Sequence, residues 1–144
     1  MKIQEIICID DDAITLMLSR KVLQKTNEEL HVVTFQNGEV ALNYLQTIQQ
    51  ENKQLDHRLV LLDLNMPVMG GWEFLNYFLE NGLHVEFPNT QMIILSSTID
   101  PQDVLRAKQY PMVARFLSKP ISRPIMQSLL EELEAAASPR VLKP

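Results

Sequence analysis

Five short runs dominated by apolar, β-branched and aromatic residues, each handing over to a polar residue and each separated from the next by a helical pattern, constrain this chain more than anything else in it. They fall at residues 3–9, 31–35, 59–62, 92–95 and 114–117. Apolar runs of about four to eight residues bounded by turn signals read as buried strands. Strands alternating with helices build an α/β domain around a parallel, doubly wound sheet. In such sheets the crossovers are right-handed and ligands bind beyond the C-terminal strand ends.

The intervening segments fit that plan. Asp12 can cap a helix over 13–25 with Ile14, Met17, Leu18 and Val22 inward. Asn37-Gly38 is a turn, after which Val40, Ala41, Tyr44, Leu45 and Ile48 share one helical face. Residues 49–57 are polar, a helix end or a loop. Phe74, Leu75, Phe78 and Leu79 form the next stripe, which stops at Asn81-Gly82. The connection over 83–90 is longer than usual and has no evident role. Asp100-Pro101 opens a short helix. A last helix over 123–136 buries Ile125, Leu129 and Leu133, and residues 138–144 read as a frayed tail beyond a single domain over 1–137.

Composition narrows the function classes. The chain has 144 residues, 46% apolar and 22% charged, with a net charge of −5. That is a globular composition, and it argues against a general nucleic-acid binder, which needs a basic face. The single cysteine, Cys8, lies in an apolar run and reads as a small buried side chain. One cysteine rules out an intramolecular disulfide and suits a reducing cytoplasm. The N-terminus lacks a signal-peptide pattern, and no run approaches the ~20 apolar residues that span a bilayer.

The polar residues at the strand ends carry the chemistry. The first run ends in Asp10 and Asp11, the third in Asp63, the fourth in Ser96 and the fifth in Lys119. Each has a plain alternative. Asp63 alone suits a turn before Pro67 and Gly70-Gly71, Ser96 suits any turn, and Lys119 suits a solvated surface. Together they mean more. Carboxylates brought close repel one another, and a cation removes the conflict. An all-oxygen set without His or Cys suits Mg²⁺ rather than zinc. A carboxylate nucleophile, Mg²⁺, an ammonium and a hydroxyl make a site for phosphoryl transfer.

On these residues the chain resembles the receiver domains of two-component response regulators, over residues 3 to about 136. The acidic pair Asp10-Asp11, the run Asp63-Leu-Asn-Met-Pro-Val-Met-Gly-Gly, Ser96 and Lys119-Pro120 match that family's signature. The resemblance implies a flavodoxin-like sheet of order 2-1-3-4-5. It implies that Asp63 accepts a phosphoryl group from a histidine kinase or phosphotransfer protein. Mg²⁺ would be held by Asp10, Asp11, Asp63 and the Asn65 backbone carbonyl. Lys119 would pair with the phosphoryl group, the bond before Pro120 would be cis, and Ser96 and Phe116 would act as the switch pair. Phe116, where the family often has Tyr, equally suits a plain half-buried strand residue. Asn65 and Thr98 would influence the rate of phosphoryl loss. A stand-alone cytoplasmic regulator is implied, signalling through protein docking or onward transfer, with no direct contact to nucleic acid or membrane.

Two other functions compete. A pseudo-receiver would bind partners without phosphorylation, against which the complete acid, hydroxyl and lysine set argues. A small phosphatase with an Asp nucleophile would carry a second acid two residues on, where this chain has Asn65.

Overall fold

The computed structural model describes residues 2–67 and 69–136, with the backbone alone at residue 136. The elements run β1 (Glu5–Ile9), α1 (Ala13–Thr26), β2 (His31–Phe35), α2 (Gly38–Gln50), β3 (Arg58–Asp63), α3 (Gly71–Glu80), α4 (Leu83–Glu86), β4 (Thr90–Ser96), α5 (Pro101–Ala107), β5 (Val113–Ser118) and α6 (Arg123–Ala136). The five strands pair in parallel in the order β2-β1-β3-β4-β5, as expected. The expectation for residues 138–144 lies outside the described residues.

Alternation along each strand sorts side chains into two cores. Ile7, Ile9, Val60, Leu62, Met92 and Ile94 pack with α2 and α3 residues such as Ala41, Leu45, Phe74 and Phe78. Ile6, Cys8, Leu59, Leu61, Ile93 and Leu95 pack on the other face with Leu16 and Leu23 of α1 and Met126, Leu129 and Leu133 of α6. Both faces of the central strands are covered, which is why residues 6–9, 59–62 and 92–95 are apolar on both faces.

Three helical stripes differ from the expected ones. In α1 the sheet takes Leu16, Ser19 and Leu23, while Ile14, Met17 and Leu18 are 64%, 50% and 54% exposed. The two triplets lie on opposite sides of one helix, and both arcs are apolar enough to be read as the inner face. In α6, Ile125 faces outward, and Met126, Leu129, Leu130 and Leu133 form the buried stripe. In α2, Val40 is exposed and Leu42 is buried instead. The Asn37-Gly38 turn is a helix start: extended Asn37 accepts from the Val40 N–H at 2.9 Å. Asp12 and Asp100 cap α1 and α5 the same way.

The long connection after α3 also has a structural reason. Gly82 takes a left-handed φ of 71°, a single turn of helix follows, and Phe87 drops into the core against Phe78. At the N-terminal end of the sheet, Glu5 and Arg58 sit side by side in register and form a buried ion pair at 3.0 Å. Tyr44 Oη and the His31 ring also bond the Glu5 carboxylate. This network stands at the opposite end of the strands from the polar strand ends.

Candidate functional site

Parallel pairing in register brings the C-terminal ends of β1, β3, β4 and β5 to one edge. Asp10 follows β1, and its N–H still donates to Phe35 O at 3.0 Å, so the backbone stays in the sheet. The Asp12 N–H donates to Asp10 Oδ1 at 2.9 Å and fixes that carboxylate. Asp63 is the last residue of β3, opposite Leu95. Lys119 follows β5, and its N–H donates to Ser96 O at 2.8 Å, which ties it to the end of β4. The Lys119-Pro120 bond is cis, as the resemblance implied.

Lys119 Nζ lies 2.8 Å from Asp10 Oδ2 and 3.0 Å from Asp63 Oδ1. Asp10, Asp11 and Asp63 each offer a carboxylate oxygen within 4.8 Å of the others. Asp10 and Asp63 are buried while Asp11 is exposed, so the cluster opens to solvent on one side. Burial pushes the Asp63 carboxyl above its ordinary range; Asp10 adds to this and Lys119 opposes it. Burial also works against the Lys119 charge, but its bonds to Asp10 and Asp63 outweigh that and raise its pKa. The ammonium thus partly offsets two carboxylates and leaves one in excess, besides Asp11. A hard divalent cation fits this all-oxygen set, and Mg²⁺ needs only a few protein ligands.

A model of the response regulator receiver domain matches residues 6–131. The chain belongs to that family. A two-component response regulator from Cytophaga hutchinsonii shares 24% identity with this receiver at a TM-score of 0.81, over 94% of this chain and 99% of that one. A response regulator receiver protein from Dyadobacter fermentans gives 25% and 0.75, over 91% and 98%. A chemotaxis protein of Vibrio cholerae gives 21% and 0.71, over 91% and 98%. No curated protein sequence matches. The family is one of regulators rather than true enzymes.

Of the receiver's remaining expected site residues, Asn65 touches Asp63, Ser96 ends β4 and bonds Lys119 through its carbonyl, and Phe116 lies on β5. Asn65 is exposed, and its N–H approaches Asp63 Oδ1 at 3.4 Å. Ser96 is buried, and its Oγ accepts from the Thr98 N–H at 3.3 Å. Phe116 pairs in register with Ile94 and is half-buried against the α2/α3 core. Thr15 and Leu18 are further neighbours that sequence reasoning does not pick out. With Lys119 and Pro120 they line a cleft of about 200 Å³. The signal was a helix with apolar residues on two arcs, of which the sheet needed one.

Proposed function

We propose that Asp63 accepts a phosphoryl group from the phosphohistidine of a partner kinase or phosphotransfer protein. The observation that carries this reading is the Lys119 ammonium bridging Asp10 and Asp63, with Asp11 beside them. The P–N bond of the donor breaks as an Asp63 oxygen–phosphorus bond forms, and the donor imidazole leaves. Asp11, Asp63 and the Asn65 carbonyl would hold Mg²⁺, with Asp10 contributing through water. When bound, the ion neutralises charge on the transferring oxygens.

This chain's own residues supply the rest. Lys119 is already held where it can turn from Asp63 to a phosphoryl oxygen. Ser96 carries a hydroxyl at the end of the neighbouring strand, one residue before the loop to α5, and Phe116 packs on the strand beside it. A phosphoryl group brings roughly −1.5 to −2 charges to Asp63 and draws Ser96 and Lys119 inward. The response is a changed α5–β5–α6 surface that another protein reads. Exposed Leu18, which lines the Lys119 cleft, and exposed Ile14 and Met17 on the same helix suit the docking of the phosphodonor. The exchange belongs in the cytoplasm, and no described helix is long and apolar enough to cross a membrane.

The test is labelling with acetyl phosphate. The wild-type chain takes up one phosphoryl group with Mg²⁺ and none with a chelator, and Asp63→Asn takes up none. Equal labelling of Asp63→Asn, or labelling indifferent to Mg²⁺, would count against the reading.

A further inference from the structure

The loop from β3 to α3 passes through Met69, whose φ of 48° is left-handed. Side chains with a Cβ populate that region sparsely, so a surrounding contact must hold Met69 there. Gly38, the first residue of α2, supplies it. A Cβ on Gly38 would lie 2.9 Å from Met69 Cγ, 3.0 Å from Met69 O and 3.1 Å from Met69 Sδ. One of those atoms is backbone, which cannot swing aside as a flexible side chain can. The far end of the loop is gripped in the same way: a Cβ on Gly71 would lie 2.7 Å from Asp63 O and 2.8 Å from Leu64 Cα. Between these two grips the loop offers the Asn65 N–H to Asp63 Oδ1.

We propose that Gly38 is a positioning residue for the acceptor site: it seats Met69 and so fixes where the loop presents Asn65 to Asp63. The inference rests on the proposed function, because it concerns the site that reading uses. A side chain at Gly38 pushes Met69 and its backbone away from α2, and the shift reaches the Asp63 carboxylate through Asn65. A misplacement of reacting groups by about 1 Å can cost about a hundredfold in rate, so a shift of a few tenths of an ångström is expected to cost roughly tenfold.

The experiment measures Mg²⁺ affinity by calorimetry, thermal midpoint in chelator, and the acetyl phosphate labelling rate. Gly38→Ala is expected to bind Mg²⁺ and to label roughly tenfold more weakly, and Met69→Ala roughly threefold. The double variant is no worse than Gly38→Ala alone, because both changes break one contact. Gly82→Ala is the control. Its φ of 71° disfavours alanine while a Cβ there meets nothing within 4 Å, so it lowers the thermal midpoint and leaves Mg²⁺ affinity unchanged. Should Gly38→Ala fail to fold, Met69→Ala alone carries the test. Wild-type affinity in the Gly38 and Met69 variants, effects that multiply in the double variant, or an equal loss in Gly82→Ala would overturn the inference and leave the proposed function standing. A wild-type chain that neither binds Mg²⁺ nor labels would overturn both.

Discussion

Lys119 holds the acidic cluster together, since its ammonium lies within 3.0 Å of both Asp10 and Asp63. Lys119→Met keeps the aliphatic stem and leaves two buried carboxylates facing each other. In chelator the variant should lose about 2 kcal/mol of stability, the scale of stranding a buried polar group. Saturating Mg²⁺ should recover most of that, since a ligand at a hundred times its Kd stabilises by about 2.7 kcal/mol. Urea denaturation with and without Mg²⁺ checks it; equal midpoints for wild type and variant in chelator would contradict it. Cys8 is a second case. Burial among Ile6, Leu61 and Ile93 pushes its thiol from the ordinary value of 9.0 up to about 12. Above pH 9.0 the unfolded thiol ionises and the folded one does not, so the unfolded state binds fewer protons and stability falls as pH rises towards about 12. Cys8→Ala should flatten that alkaline slope while lowering stability at pH 7 through lost packing. An unchanged slope between pH 9 and 11 would show that the thiol does not contribute.

Among the helices, α5 is the least firmly held of those beside the site. It has seven residues, and Ala107 is its buried one. What ties it to α3 is aromatic. The Arg106 guanidinium lies 4.2 Å from the Trp72 ring centroid, and Tyr110 stacks on the same indole at 5.9 Å. Tyr110 Oη in turn donates to Asn76 Oδ1. Trp72 is the only tryptophan, so its emission reports on this tether. Arg106→Ala should cost about 0.5–1 kcal/mol and shift the Trp72 emission, while acetyl phosphate labelling persists. Emission indifferent to the change would mean that α5 is held by other contacts. Nothing in the sequence marks this tether, since its partners lie far apart in number and meet only through the fold. The α1 and α6 stripes were unreadable for a related reason. Each helix has apolar residues on more than one arc, and the choice is made by the sheet it packs on, not by the helix's own periodicity.

The strand ends were legible because they are one-dimensional. A parallel sheet in register sends every strand's last residue to the same edge, so Asp10, Asp63, Ser96 and Lys119 converge by topology alone. Side-chain chemistry does the rest, and the expected cluster lies within 4.8 Å. Contacts that depend on backbone approach were not legible. The seat of Met69 on Gly38 and the dip of Phe87 into the core both need coordinates. The buried Glu5–Arg58 pair was equally hidden, because an acid and a base at the starts of two strands give no sign of register until the strands pair. Its place at the far end of the sheet separates the part of the molecule that holds strands in register from the part proposed to react.

That proposal stands or falls on which carboxylate reacts. After incubation with acetyl phosphate and Mg²⁺, borohydride reduction of the acyl phosphate and peptide mapping should find the modified residue at Asp63, with Asp10 and Asp11 untouched. Asp63→Asn should be folded and at least as stable at pH 7, because burial and Asp10 already disfavour the Asp63 charge, and it should give no reduced product. A product at Asp10 or Asp11, or none in a wild-type chain saturated with Mg²⁺, would contradict the assignment.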